Sequence, residues 1–356
     1  MNEPVLEIRN LTKHFPVRRG ILRKQVGTIQ AVTDISFSLG EGETLAVVGE
    51  SGCGKSTLGR AILRLHEPSA GTIRLGGEDI TGLDKAGLRE ARKRMQIIFQ
   101  DPYGSLNPRM TVRETLAEPL LLHGVATASD IRPKVDQLID MCGLSRYHAE
   151  RYPHEFSGGQ RQRVGIARAL ATRPRLIICD EPVSALDVSV QAQIVNLLQD
   201  LQRDLGVAYI FISHDLGVVR HIASRVAVMY LGRIVEEGPT EALFAKSAHP
   251  YSRMLIASAP VPDTRASREK VSIEGGTPSA MAMPSGCAFH PRCPMAIDRC
   301  RSEKPGLKQA GGTLSACHRS EELVGTGMAA VPSENPVLQK RLAVLEAARA
   351  ERAGQI

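Results

Sequence analysis

A glycine-rich segment directly after an apolar run constrains this chain more than any other feature. The run Thr44–Val48 reads Thr-Leu-Ala-Val-Val, and residues 49–57 read Gly-Glu-Ser-Gly-Cys-Gly-Lys-Ser-Thr. This is typical of a buried strand that breaks into a turn, where glycines let backbone N–H groups curl around phosphate oxygens. The next helix adds its N-terminus, a lysine for the outer phosphates and a hydroxyl for Mg²⁺. The segment therefore predicts nucleoside triphosphate binding. The candidate residues are Gly49, Ser51, Gly52, Gly54, Lys55, Ser56 and Thr57, with Ser56 as a ligand of Mg²⁺.

Length and composition narrow the class of protein. A chain of 356 residues can hold one large domain and a smaller one. No run of 18 apolar residues occurs, so we expect no bilayer crossing. The start of the chain has no apolar signal core, so we expect no secretion and a reducing cytosol, where the seven cysteines would not form disulfides.

The net charge of +7 invites a nucleic-acid or membrane interpretation. The basic residues are scattered, apart from a cluster within residues 18–24, and aromatic residues make up only 4% of the chain. Proteins that bind single-stranded nucleic acid use a basic face studded with aromatic rings, which this composition does not supply. We expect no nucleic-acid partner, and attraction to an acidic lipid leaflet is the secondary interpretation.

Two carboxylates follow a second apolar run. Leu176-Ile-Ile-Cys leads into Asp180 and Glu181, and the ends of parallel strands are where nucleotide chemistry is found. Asp180 is placed to hold Mg²⁺ through water, and Glu181 to orient or deprotonate an attacking water. The alternative interpretation is a structural strand followed by an ordinary polar turn. The glycine-rich loop upstream in the same chain favours the nucleotide site over this alternative.

A third motif opens a helix. Ser157, Gly158, Gly159 and Gln160 precede the helical stretch 161–172, so backbone N–H groups and the positive end of a helix are exposed there. A helix cap alone explains the serine, but not Gly-Gly-Gln in place of better helix formers. We interpret the motif as a second anion site.

The three motifs, in this order and spacing, resemble an ATP-binding-cassette (ABC) ATPase over residues 5–250. The resemblance implies an α/β P-loop fold with a parallel sheet core, an antiparallel β subdomain and a helical subdomain. Gln100 then matches a glutamine that contacts Mg²⁺ and senses the transporter, Asp187 ends a D-loop that begins at Ser184, and His214 matches the histidine that contacts the γ-phosphate. Phe15 is the candidate for stacking on adenine. Phe156 departs from the leucine usual in the family, which places little in doubt because both are apolar.

The resemblance also explains two anion sites in one chain. In relatives, the Ser-Gly-Gly-Gln motif of one subunit meets the γ-phosphate held by the glycine-rich loop of another. This chain carries one copy of each motif, so it is expected to need a second ATPase chain, with a paralogue favoured over a copy. All catalytic positions carry the expected residues, so we expect an active ATPase with Glu181, His214 and Gln100 as its catalytic residues.

Four cysteines lie together near the C-terminus, namely Cys287, Cys293, Cys300 and Cys317. Their segment is poor in apolar residues, and a metal would supply the missing stability. The spacing C-x5-C-x6-C-x16-C is looser than that of common zinc modules. The segment resembles the C-terminal extension of oligopeptide and dipeptide importer ATPases, where related cysteines hold a [4Fe–4S] cluster. Four thiolates suit the cluster or Zn²⁺ equally well by count, and free thiols stay a third possibility.

The chain thus resembles the ATP-hydrolysing subunit of a bacterial oligopeptide or dipeptide importer, of the second-ATPase type. The implied partners are a second ABC ATPase, two membrane permeases and, indirectly, an extracytoplasmic peptide-binding protein, with the chain on the cytoplasmic face of the inner membrane. An importer of nickel chelates or glutathione, or a soluble ABC ATPase, is the alternative.

The expected organisation has three parts. Residues 1–258 form the ATPase domain with a helical subdomain at about 101–155, residues 259–320 form the cysteine-containing extension, and residues 321–356 form a helical or flexible tail. Within the first part, the polar segment 18–30 is predicted to be a loop insertion, and composition predicts a linker over residues 260–286.

Overall fold

The computed structural model of the chain describes residues 3–20, 24–258 and 278–325. The strands are β1 (Leu6–Arg19), β2 (Lys24–Leu39), β3 (Thr44–Val48), β4 (Ala70–Leu75), β5 (Glu78–Asp79), β6 (Met95–Ile98), β7 (Leu176–Asp180), β8 (Ala208–Ile212), β9 (Arg225–Tyr230), β10 (Arg233–Pro239), β11 (Lys308–Ala310) and β12 (Thr313–Ser315). The α-helices are α1 (Lys55–Ile62), α2 (Lys85–Lys93), α3 (Val112–Leu122), α4 (Ile131–Met141), α5 (Gly158–Leu170), α6 (Val188–Leu205), α7 (Leu216–Ile222), α8 (Thr240–Lys246), α9 (Pro250–Ser258), α10 (Asp298–Ser302) and α11 (Ser320–Gly325). Short 3₁₀ helices cover Arg146–Glu150, Pro153–Glu155 and His290–Arg292.

A parallel sheet forms the core, as the apolar runs predict. Strands β6, β7, β8, β3 and β9 lie side by side in that order and are parallel to one another. Every residue of β3, β7 and β8 is buried, which is the pattern of strands covered by other elements on both faces. The glycine-rich loop and the two carboxylates therefore leave the sheet at the same edge, because parallel strands end on the same side.

A second sheet is antiparallel, and it shows that the prediction of a loop insertion at residues 18–30 was wrong. Its order is β2-β1-β4-β5, and it contains the alternating runs near the N-terminus. The segment 18–30, predicted to be a loop insertion, is mostly strand, since Arg18 pairs with Gln25 and Arg19 with Lys24. Polar composition suggested a loop, but two strands that pair beyond the core need no apolar residues on their exposed faces. The fold prediction for the antiparallel subdomain itself is confirmed.

The predicted helical subdomain contains α3 and α4 and packs on its own apolar residues. Helix α3 begins with a capping box, in which the Thr111 hydroxyl accepts from the Glu114 N–H and the Glu114 carboxylate accepts from the Thr111 N–H. Val112, Leu116 and Val135 are fully buried between the two helices and the core. Two large apolar side chains of α3, Leu121 and Leu122, are exposed.

The cysteine-containing extension continues the core sheet. Strand β12 pairs antiparallel with β10, through Glu236 opposite Ser315 and Glu237 opposite Leu314, and β11 pairs with β12. Residues 260–277 of the predicted linker and residues 326–356 of the predicted tail lie outside the described residues. None of the helices in the described ranges is long and apolar enough to cross a membrane.

A buried polar cluster joins this extension to the ATPase core. The Glu236 carboxylate accepts hydrogen bonds from the N–H groups of Ala248 (2.6 Å) and His249 (3.1 Å) and from the Thr313 hydroxyl (2.8 Å). The His249 Nδ1 accepts from the Tyr251 N–H at 3.1 Å. Burial lowers the pKa of His249 from 6.5 to about 3, so the folded protein holds this imidazole neutral.

The buried imidazole predicts an acid-sensitive fold. Between pH 6.5 and about 3 the unfolded chain binds a proton at His249 and the folded chain does not, so this contribution is complete above pH 6.5 and is lost as the pH falls. As the pH falls below 6.5, the free energy of unfolding of a His249→Gln variant should decrease less steeply than that of the parent. The two slopes should differ by about 1.4 kcal/mol per pH unit. Urea titrations at pH 7.5 and 5 measure the difference. The exposed His154, replaced by Gln, is the matched control, and a His249→Gln variant with the parent's pH slope would contradict the prediction.

Candidate functional site

A cavity of about 610 Å³ lies where the parallel strands end and reaches the antiparallel sheet. Most of the residues predicted to bind nucleotide line it. They are Phe15, Ser51, Gly52, Gly54, Lys55, Ser56, Thr57, Gln100, Glu181 and His214. The glycine-rich loop, Gln100, Glu181 and His214 are widely separated in the sequence and are therefore brought together in one place.

Close backbone packing sets the shape of the glycine-rich loop. Gly49 has φ +150°, and a Cβ added there would lie 2.2 Å from the carbonyl oxygen of Met229. Gly54 has φ +107°, and a Cβ there would lie 2.0 Å from the carbonyl oxygen of Ala31. The loop thus runs between β9 and β2, where a side chain would displace main-chain atoms.

Lys55 and Ser56, the first residues of α1, are held by hydrogen bonds to the glycine-rich loop and to the end of β7. The Lys55 ammonium is nearly buried and donates to the carbonyl oxygens of Gly49 (2.8 Å) and Glu50 (3.0 Å). The Ser56 hydroxyl donates to Asp180 Oδ1 at 2.7 Å, which joins α1 to the end of β7. Burial raises the pKa of Asp180, and the Ser56 hydrogen bond opposes this shift. A hydroxyl beside a buried carboxylate fits the oxygen ligands that Mg²⁺ prefers.

Glu181 lies at the centre of a small polar network. Gln100 Nε2 donates to Glu181 Oε2 at 3.0 Å, and His214 Nδ1 lies 3.3 Å from the same oxygen. Glu181 itself has φ +48°, an unfavourable left-handed conformation for a glutamate. Its N–H donates to the carbonyl of Ile212 at 3.0 Å, which holds it in place. The network presents a carboxylate, an amide and an imidazole to the cavity.

Phe15 lies at another wall of the cavity. The Lys13 ammonium is 4.8 Å from the centre of its ring, and the His66 ring meets it edge-on at 5.4 Å. Ile29 and Ala280 also line this cavity. The surroundings provide an aromatic ring and apolar atoms for a flat ligand group.

The Ser-Gly-Gly-Gln motif does not line this cavity. Ser157 caps α5 by accepting from the Gln160 N–H at 3.3 Å, and the Gln160 side chain accepts from the Ser157 N–H at 3.0 Å. A Cβ on Gly159 would lie 2.4 Å from Val190, so the motif packs closely against the start of α6. Asp187, the residue before α6, is likewise absent from the cavity lining. Ser157 and Gly158 are exposed, which leaves the start of α5 accessible.

Some residues around the loop were missed by the sequence analysis. The Tyr251 hydroxyl accepts from the Glu50 N–H at 2.8 Å, and the Arg292 guanidinium donates to both Glu50 carboxylate oxygens. Residues outside the predicted motifs complete the wall of the cavity, namely Ile29, Gln30, Ala31, Leu231, Gly232 and Ala280. No local pattern marks these residues, because they reach the loop only through the folding of distant segments.

The four C-terminal cysteines are close neighbours in the extension. The Cys287 N–H donates to the Cys300 carbonyl at 2.8 Å, and the Arg319 N–H donates to Cys317 Sγ at 3.4 Å. Burial raises the pKa of Cys317 to about 11, and the other three thiols add to the shift. In the described ranges, no group of three or more His, Cys, Asp or Glu side chains is arranged to hold a metal ion. The donor set, four thiols, fits a thiolate centre by its chemistry.

Comparison with known proteins identifies the family. The profile of the ABC transporter family matches residues 32–184, and that of the oligopeptide/dipeptide transporter C-terminal region matches residues 235–300. A probable peptide ABC transporter ATP-binding protein of Sinorhizobium fredii is 56% identical over 319 residues, which are 89% of this chain and 90% of that protein. The chain belongs to the ABC transporter ATPases. It is therefore an ATP-binding and ATP-hydrolysing subunit, as the sequence predicted.

Other ABC ATPases agree in sequence and in fold. The oligopeptide transport ATP-binding protein AppF of Bacillus subtilis is 50% identical and matches 89% of this chain and 97% of its own length. The di/tripeptide transport ATP-binding protein DppF of Pseudomonas aeruginosa is 47% identical and matches 91% of this chain and all of its own. The dimeric ATP-binding cassette MJ0796, bound to ADP and Pi, superposes with a TM-score of 0.59 at 29% identity and covers 66% of this chain and 98% of its own.

The packing of this ABC ATPase loop predicts unequal effects of two matched substitutions. Gly54→Ala should lower the free energy of unfolding by at least about 3 kcal/mol, because the new methyl group meets the Ala31 carbonyl in a left-handed conformation. Gly52→Ala has φ +79° with no atom within 4 Å of the added Cβ, so it should cost only about 1–2 kcal/mol. Chemical denaturation of both variants measures the difference. Equal losses of unfolding free energy in the two variants would show that glycine is required at position 54 for its backbone conformation and not because of the close contact with Ala31.

Proposed function

We propose that this ABC ATPase powers the import of peptides of the oligopeptide/dipeptide class. The observation that carries the proposal is the joining of two features in one chain, a pocket with the full catalytic set and a C-terminal region of the peptide-transporter type over residues 235–300. Relatives at 47–56% identity are described as peptide, oligopeptide or di/tripeptide transport ATP-binding proteins. Nickel chelates and glutathione are the solutes to test against peptides.

ATP would bind with its phosphates in the glycine-rich loop. The amides of residues 49–57 and the Lys55 ammonium would surround the phosphates, and Phe15 would offer a ring to the adenine; Ser51–Thr57 and Phe15 line the cavity, which supports this assignment. Ser56 and Gln100 would be ligands of Mg²⁺, and Asp180 would hold the ion through water. Bound Mg²⁺ would neutralise charge on the phosphates. The bond between Ser56 and Asp180 supports this assignment, because it places both oxygens at one point.

Hydrolysis would depend on Glu181. Its carboxylate would orient a water and accept its proton as the water oxygen bonds to the γ-phosphorus and the bond to the ADP oxygen breaks. Gln100 and His214 both lie within 3.3 Å of Glu181 Oε2. They would orient the carboxylate, and His214 would also donate to the γ-phosphate.

A second ATPase chain would complete the site. Ser157, Gly158, Gly159 and Gln160 are absent from the lining of the chain's own cavity, and Asp187 lies at the edge of the same surface. We propose that this surface meets the nucleotide of a partner ATPase, which would be a paralogue. The solved cassette MJ0796 is described as dimeric, which supports such an arrangement.

Two membrane permeases would dock beside Gln100 and the helical subdomain. This side carries exposed apolar side chains at Tyr103, Leu121 and Leu122, which suit a partner surface. Closure of the ATPase pair would move the permeases, and an extracytoplasmic peptide-binding protein would deliver the solute. The chain would then act at the cytoplasmic face of the inner membrane.

The proposed division of the chain follows these roles. Residues 1–258 would be the ATPase domain, with the helical subdomain at about 101–155. Residues 259–320 would be the peptide-transporter extension, and residues 321–356 a tail. The continuation of the core sheet by β12 and β11 supports an extension that is packed on the ATPase.

Replacement of the proposed base tests the function. Glu181→Gln in the assembled transporter should keep the Kd for Mg·ATP within about threefold and lower kcat at least about 100-fold, because the amide cannot accept the proton of water. Phosphate release and uptake of labelled dipeptides and oligopeptides are the measurements. Glu241→Gln, at a highly exposed position on α8, is the matched control. If the Glu181→Gln variant hydrolyses ATP at the parent rate, Glu181 is not the base. If nickel chelates or glutathione stimulate ATP hydrolysis by the parent transporter and peptides do not, the proposed substrate class is wrong.

We also propose a metal centre in the extension. Cys287, Cys293, Cys300 and Cys317 would hold it, with a [4Fe–4S] cluster favoured over Zn²⁺. Four thiol groups within one small segment support the proposal, since such a segment lacks a large apolar core of its own. A bound cluster or zinc ion would cross-link α10, the 3₁₀ turn at His290–Arg292 and the segment after β12.

Anaerobic purification distinguishes the possible centres. The full chain should be brown, absorb near about 400 nm and contain iron, and Cys300→Ser should lose the colour because one thiolate ligand is gone. Cys142→Ser, which removes a buried thiol of the helical subdomain, should keep it. A colourless protein that contains zinc would show that the four cysteines bind Zn²⁺ and not a [4Fe–4S] cluster. A protein without either metal would leave four free thiols.

A further inference from the structure

The glycine-rich loop of residues 49–57, called the phosphate loop from here on, is held by a side chain 242 positions away in the sequence. Arg292 Nη1 donates to Glu50 Oε2 and Arg292 Nη2 donates to Glu50 Oε1, both at 2.9 Å. The pair is bidentate, which is the strong and directional form of this interaction. Only 7% of the Arg292 side chain is exposed. Glu50 belongs to the glycine-rich loop, whereas Arg292 lies in the cysteine-containing extension.

An aromatic cluster holds both partners of this pair in place. The rings of Tyr230, Tyr251 and Phe289 pack together, with centroids 4.7–5.4 Å apart. The Tyr230 hydroxyl accepts from Arg292 at 3.4 Å, and the Tyr251 hydroxyl accepts from the Glu50 N–H at 2.8 Å. Glu50 is thus fixed through its main chain by α9 and through its carboxylate by the extension.

The position of Glu50 makes the ion pair important for an anionic ligand. Glu50 follows Gly49, and its carbonyl accepts from the Lys55 ammonium. A carboxylate without a counter-charge at this point would repel a triphosphate in a site of low dielectric constant. Arg292 supplies the counter-charge, and its planar fork also fixes the direction of the Glu50 side chain.

The extension reaches the same cavity at a second point. The Gln30 N–H donates to the carbonyl of Ala280 at 3.1 Å, and Ala280 lines the cavity together with Phe15. The extension therefore contacts the phosphate loop through Arg292 and Glu50, and it lines the wall of the cavity through Ala280. A contact with the phosphate loop alone would suit a simple docking point, but two contacts tie the extension to the shape of the cavity.

We propose that Arg292 is a positioning residue for ATP binding, through which the cysteine-containing extension and the phosphate loop are energetically coupled. The proposal rests on the nucleotide site proposed above. Arg292 neutralises Glu50 and holds the loop in its binding conformation. The coupling is reciprocal, so nucleotide in the loop stabilises the extension, and loss of order in the extension weakens nucleotide binding.

Four variants of the full chain separate positioning from simple docking of the extension. Arg292→Ala should raise the Kd for Mg·ATP about tenfold, while kcat in the assembled transporter changes less than about twofold. Arg292→Lys keeps the charge but loses the fork, so it should raise Kd about threefold. Glu50→Gln should change Kd by less than about threefold, because it removes the repelling charge together with the ion pair. Arg299→Ala is the matched control, since Arg299 pairs with Glu303 inside the extension and both side chains are exposed.

The double variant Glu50→Gln/Arg292→Ala provides the decisive comparison. Its Kd should lie within about twofold of that of Glu50→Gln alone, because the carboxylate that loses its guanidinium partner in Arg292→Ala is itself removed. A double variant that shows the product of the two single losses would overturn the proposal. An Arg292→Ala variant with the parent's Kd would overturn it as well. Melting temperatures, measured in parallel, show that each variant is folded.

Hydrogen exchange on the unmodified chain tests the reciprocal effect without any substitution. Mg·ADP should slow the exchange of backbone amides in residues 287–302 at least about fivefold. Unchanged exchange there, with protection of residues 49–57, would contradict the coupling. Lys55→Ala distinguishes the two proposals: if it binds nucleotide as the parent does, the proposed site is wrong. If it loses nucleotide while Arg292→Ala binds normally, only the coupling is wrong.

Discussion

The close packing of the phosphate loop between two strands is the constraint on which the rest of the site depends. Gly54 lies against the Ala31 carbonyl of β2, and Gly49 lies against the Met229 carbonyl of β9. The loop is thus formed where the antiparallel sheet meets the parallel one. Because both contacts are made to main-chain atoms, the direction of α1 is fixed with little freedom to adjust. That direction brings the Ser56 hydroxyl to Asp180 at the end of β7.

The parallel sheet then decides which chemical groups share the cavity. Asp180 ends β7 and Glu181 follows it, and His214 comes after β8, which lies between β7 and β3. Gln100 comes from the end of β6, on the other side of β7. All of these side chains reach one edge because the strands run in the same direction. The strained backbone at Glu181 is maintained by its hydrogen bond to Ile212 of β8, so the sheet itself holds the carboxylate proposed as the base.

The extension is part of the same structure and not an appended module. Its strands β12 and β11 lengthen the core sheet, and Glu236 is buried in hydrogen bonds from both sides of the junction. Arg292 continues this connection to the phosphate loop itself. A match of the peptide-transporter profile to residues 235–300 covers most of the residues of this junction. The feature that marks the subclass of transporter is therefore in direct contact with the feature that marks the family.

The sequence by itself determined the chemistry of this protein and much of its core. The buried runs of β3, β7 and β8, the glycine-rich loop and the residues that follow each strand could be read locally, because strand period, glycine conformation and functional groups are properties of short segments. Segment 18–30 was interpreted wrongly as a loop, since its polar residues pair as strands on an exposed extension of the sheet. Only the tertiary structure decided that Ser157–Gln160 lies outside the lining of the chain's own cavity and that Arg292 meets Glu50. Such contacts join segments far apart in the chain, and their geometry follows from strand order and packing, which no local pattern encodes.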